Sequence, residues 1–100
     1  MAAEAEVLRR DCFVEDEAGS AQPLTVRFYA PAYNHRDGAY RTRANIRCVW
    51  FERDVHGVGE DPAQAFFALP IVVVSYLIGQ RRFGYEAYWF ERGDLDYSDF

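Results

Sequence analysis

Asp61-Pro-Ala-Gln-Ala-Phe-Phe-Ala-Leu-Pro-Ile-Val-Val-Val-Ser-Tyr-Leu-Ile-Gly-Gln80 is the long apolar run of this chain, and its reading decides the fold. It opens as helices open. Asp61 can accept hydrogen bonds from the first free amides, and Pro62 suits the first helical position, where no donor is needed. Glu60 and Asp61 favour the positive end of the helix dipole, and Gly79 is placed to stop the helix. Between these ends only Gln64, Ser75 and the hydroxyl of Tyr76 are polar, so cover on more than one side is expected.

Pro70 pulls the other way. It removes one backbone hydrogen bond and crowds the carbonyl of Phe66. The β-branched residues from Ile71 to Val74 also favour a strand. Two readings follow. One is a single long helix kinked at Pro70. The other is a short helix to Leu69 followed by a buried strand over Ile71–Ile78. The kinked helix is preferred. A membrane span needs about 20 apolar residues with anchors at its ends, so no membrane partner is expected.

Outward from this run, short alternating segments are placed to cover it. Tyr40 to Glu52 reads as a strand, with Tyr40, Thr42, Ala44, Ile46, Cys48 and Trp50 on one side. Arg41, Arg43, Asn45, Arg47, Val49 and Phe51 take the other. Leu24, Val26, Phe28 and Ala30 alternate with Thr25, Arg27 and Tyr29 until Pro31 ends pairing. Val7 to Glu15 alternates less well. Leu8, Cys12 and Val14 are placed to face the core there, and Arg10 shares their side, which suggests either an edge or a bend in the register. Arg53 to Val58 reads as a fourth short strand, and Tyr85 to Glu91 as a last strand or arm. Asp37-Gly38 marks a turn. The expected class is α+β: an antiparallel meander of three to four strands packed on one long, Pro-kinked helix, with a C-terminal strand or arm. Residues 1–100 read as a single domain.

The segment Gly59-Glu-Asp-Pro-Ala-Gln-Ala-Phe-Phe-Ala-Leu69 resembles an uncharacterised family of small bacterial α+β domains. In these, hairpin strands lead into a helix that begins Gly-x-Asp-x-x-Gln-Ala-Leu. Gly59, Asp61, Gln64, Ala65, Ala68 and Leu69 match, and Phe66 replaces the leucine. Pro62 and Pro70 depart from the pattern. Tyr88-Trp-Phe-Glu91 and Gly93-Asp-Leu95 look like the family's end. The resemblance covers the second half of the chain. It implies the fold and adds no chemistry.

Composition narrows function further. Half of the 100 residues are hydrophobic, 17% are aromatic, and the net charge is −5. A negative chain is not drawn to nucleic acid or anionic lipid, so a basic protein is the natural partner. All eleven basic residues are arginine. Met1 to Glu6 lacks the basic and apolar blocks of a signal peptide, so a cytoplasmic location is expected. Cys12 and Cys48 then read as free thiols.

Acids and rings interleave after Phe83. Tyr85, Tyr88, Trp89, Glu91, Asp94, Asp96 and Tyr97 are the candidate partner-binding residues, acids for steering and rings for contact. A second candidate is an anion-binding face of Arg27, Arg41, Arg43 and Arg47, set against the reading that Asp11, Glu52 and the acidic tail neutralise it. His35, His56, Cys12 and Cys48 lack metal-ligand spacing, so no metal and no cofactor is expected. No nucleophile motif points to an enzyme. Size, acidity and the aromatic surplus resemble small bacterial immunity proteins. The leading expectation is a non-enzymatic module that occludes the basic active-site cleft of a toxin. The alternatives are a self-assembling homodimer and a binder of small molecules or phosphate.

Overall fold

The computed structural model describes residues 5–89 together with Asp94 and Leu95. Six strands and one long helix follow in the order β1 (Glu6–Glu15), β2 (Ala21–Tyr29), β3 (Ala32–Asn34), β4 (Ala39–Arg47), β5 (Glu52–Gly59), α1 (Pro62–Gly79) and β6 (Glu86–Tyr88). A single turn of 3₁₀ helix over Gln80–Phe83 joins α1 to β6. Every pairing is antiparallel. Across the sheet the strands lie β5, β4, β2, β1, β6, and β3 extends the β2 side along the start of β4.

The alternation read from the sequence sets the two faces. Leu24, Val26, Phe28, Ala44 and Ile46 are fully buried toward α1, joined by Cys12, Val14 and Val55. Their neighbours one residue along lie on the opposite face, where all but Asn45 are at least partly open to water. The expected meander and helix are present. The additional strand is β3, three residues long, in a segment that reads as a loop. It exists because Pro31 breaks β2 from β4 and the chain rejoins β4 one step further on. Thr42 sits at that break, where its buried hydroxyl donates to the Tyr29 carbonyl at 2.8 Å.

β4 ends at Arg47, short of the expected Glu52. The Cys48 N–H donates to the Phe51 carbonyl at 2.9 Å and closes a hairpin turn. Side-chain parity runs on through such a turn, so alternation alone does not mark its start.

α1 is one continuous helix through Pro70, and Ile71–Ile78 is helical throughout. The helix start explains its own sequence. The Gln64 N–H donates to Asp61 Oδ1 at 2.8 Å, and the Glu60 N–H donates to Gln64 Oε1 at 2.5 Å. The first satisfies an amide that the first turn leaves free, and the second ties the residue before the cap to that turn. Gly57 and Gly59 of β5 let the helix lie flush on the sheet. A Cβ on Gly57 would stand 2.3 Å from the Ala65 carbonyl oxygen, and one on Gly59 would stand 2.5 Å from the Ala65 nitrogen. Gly59-x-Asp61-x-x-Gln64-Ala65 is thus a helix-seating device.

Cover on more than one side does not hold for the middle of α1. Ala65, Leu69, Val73 and Leu77 form an i, i+4 row that is buried on the sheet. Phe67 and Ile71, two residues out of step with that row, face away and are 75% and 54% exposed.

Candidate partner-binding surface

The solvent-facing side of the sheet is a ladder of arginines and acids. Arg9 pairs with Asp11 and Arg27 with Glu6, each at 3.1 Å, and Arg43 pairs with Asp54 at 2.9 Å. Arg41 pairs with Asp37. The Arg43 guanidinium also lies over the Tyr29 ring, 4.0 Å from its centre. Asn45 ties β4 to β5 by donating to Glu52 Oε2 at 3.0 Å and to Asp54 Oδ1 at 2.9 Å.

These bonds hold two carboxyls below the usual 3.8. For Asp11 the main cause is the hydrogen bond from Arg9, and for Asp54 it is the one from Asn45. Of the four candidate anion-binding arginines, Arg27, Arg41 and Arg43 therefore already carry an acid. Arg47 stands exposed at the end of β4 and forms no ion pair among the described residues. Arg41, Arg43, His56, Tyr33 and Asn34 do border one hollow of ≈ 260 Å³.

The aromatic candidates separate. Tyr85 is half-buried, with its ring 5.3 Å from that of Trp50 and 5.7 Å from that of Phe51. It closes the core beside the β4–β5 hairpin. Tyr88 lies in β6 on the solvent-facing side and stacks on Phe13 at 5.9 Å. Trp89 is half-buried beneath the Arg10 guanidinium at 4.7 Å, and its backbone N–H donates to Asp94 Oδ1 at 2.7 Å. Asp94 is exposed, whereas Leu95 turns into the core. Glu91, Asp96 and Tyr97 lie outside the described residues.

Phe13 was absent from the candidates read in the sequence. Its signal was its parity, since it shares a side with Arg9 and Asp11 and remains 44% exposed. The β1–β6 register sets Glu15 opposite Glu86, two residues along from the Phe13–Tyr88 pair and on the same face. Glu86 also borders a hollow of ≈ 390 Å³ with Glu17, Arg81, Gly84 and Tyr85. The β6 edge thus joins a stacked ring pair to three glutamates and an open cleft.

Both cysteines are free thiols. Burial pushes the Cys12 thiol up to about 12, which leaves it protonated and unreactive. Among the described residues no three His, Cys, Asp or Glu side chains gather as a metal site. Comparison with family models, curated proteins and solved structures returns no match, so functional argument rests on this geometry.

Proposed function

We propose that this chain is a non-enzymatic protein-binding module that docks a basic surface along its β6 edge. Its most concrete form is an immunity protein that occludes the basic active-site cleft of a toxin. One observation carries the reading: the exposed Phe13–Tyr88 stack continues into Glu15, Glu86 and the Glu17-bordered hollow. Rings already stacked lose little freedom on docking and supply anchoring area. Carboxylates beside them raise the rate of encounter with a basic partner and suit an arginine or lysine entering the hollow. The acidic net charge works in the same direction over longer range. The toxin form of the reading draws on size and charge alone.

The test is affinity capture from lysate with the wild-type chain, with Phe13→Ala, and with the pair Glu17→Arg and Glu86→Arg. The expected catch is a basic protein. Its association with the double variant should slow at least about tenfold, and the slowing should shrink in high salt. Inhibition of the captured protein's activity by the wild-type chain supports the toxin form. Equal capture by all three chains, or capture of an acidic protein, overturns the proposal.

A further inference from the structure

The face of α1 turned away from the sheet is apolar and carries no ionisable group. Phe67, Ile71 and Ser75 lie along it at i, i+4 spacing, opposite the buried row of Leu69, Val73 and Leu77. Ser75 donates its hydroxyl to the Ile71 carbonyl at 2.7 Å, so its proton is already placed within the helix. From Pro62 to Gln80 the sequence holds no Asp, Glu, Lys or Arg. Glu60 and Asp61 stand exposed just before the helix, and Arg81 and Arg82 stand exposed just after it. The helix is about 27 Å long at 1.5 Å per residue. It is therefore an apolar rod with acid at one end and base at the other.

We infer that this face pairs with the same face of a second copy, the two helices running antiparallel about a two-fold axis at Ile71. A two-fold interface is self-complementary, so each residue must suit the one it meets. Antiparallel pairing centred on Ile71 sets Glu60 beside the partner's Arg82 and Asp61 beside the partner's Arg81. It sets Phe67 against the partner's Ser75, Gln64 against the partner's Ile78 and Ala63 against the partner's Gly79. Large meets small at the Phe67 positions, and Ile71 meets its own copy at the axis. Parallel pairing would bring acid to acid and base to base. Gly79 faces open space, and a Cβ there would meet nothing within 4 Å. The partner helix can approach closely at that end. The contact lies on the opposite side of the sheet from the Phe13–Tyr88 stack, and Arg81 is common to it and to the hollow at the β6 edge.

The test is sedimentation equilibrium of the intact chain over a range of concentrations. The wild-type chain should reach a dimer. Ile71→Arg places two like charges at the axis and should weaken the dimer at least about 30-fold. Its circular dichroism should match the wild type, because the position is exposed, and its melting temperature should fall only by the stabilisation that dimerisation supplies. A second arm avoids the apolar row. Glu60→Arg alone and Arg82→Glu alone should each weaken association, and the two together in one chain should restore it. A monomer at all concentrations overturns the inference. So does a dimer indifferent to Ile71→Arg. Co-sedimentation of a monomeric wild-type chain with neutral phosphatidylcholine vesicles would assign the face to a membrane surface and overturn it as well.

Discussion

The two faces of the sheet use the same strands and opposite chemistry. Toward the helix, Val26, Phe28, Ala44 and Ile46 are sealed beneath Leu69, Val73 and Leu77. One residue along each strand, Arg27, Arg43 and Asn45 meet water or each other's acids. Each large apolar side chain sealed on the inner face is worth ~1.5–3 kcal/mol. Exposed ion pairs on the outer face contribute ~0–1 kcal/mol each. The inner face therefore carries the stability, and the outer face can be rewritten for recognition at little cost.

The largest test of this division is at Gly57. Its Cβ would stand 2.3 Å from a backbone oxygen of α1, an atom that cannot swing aside. Gly57→Leu is expected to lift the helix start off β5 and to cost more than the ~1–3 kcal/mol typical of overpacking. Thermal unfolding followed by circular dichroism reads this directly. A variant that melts as the wild type does would mean that α1 does not bear on the sheet there.

This position also shows how far the sequence reaches. Strand parity and the start of α1 follow from local pattern, because side-chain period and capping are local physics. Pro70 left helix and strand open, since backbone preference and packing disagree there. Packing of Leu69, Val73 and Leu77 on the sheet decides for the helix. The roles of Gly57 and Gly59 as the helix seat were not legible. They depend on residues several positions further along the chain approaching within van der Waals contact. Of the candidate surface, the arginine face was legible by parity, together with its neutralisation, although Glu6, Asp37 and Asp54 supply much of it. Tyr85 and Tyr88 look alike in sequence. Only the three-dimensional pairing of one with Trp50 and the other with Phe13 separates them.

The two faces also answer pH in opposite directions. Cys12 is an inner-face acid whose ordinary value of 9.0 is pushed up to about 12 by burial. Above pH 9 the unfolded chain loses the thiol proton while the folded chain keeps it. Folding stability from this group is complete below pH 9 and falls as pH rises toward 12, by up to ~4 kcal/mol. Denaturant titrations between pH 8 and 11 should show a decline that is flatter in Cys12→Ala. Equal slopes would mean that the thiol is reached by water in the folded state.

On the outer face the sign reverses and the effect shrinks. Asp54 is held below 3.8 chiefly by its bond from Asn45, and then by Arg43. The folded chain binds that proton less readily than the unfolded one, so the contribution is present above pH 3.8. It is lost as pH falls through the lower folded value. The carboxylate side chain is about half exposed, and water and salt screen the pair. A double-mutant cycle with Arg43→Ala and Asp54→Ala at pH 7 should therefore give a coupling under ~1 kcal/mol. The coupling should weaken as pH falls through the lowered Asp54 value, and 1 M salt should diminish it at pH 7. A coupling of several kcal/mol that salt leaves untouched would place this pair among the groups that hold the fold together. The outer face would then be no freer to change than the inner one.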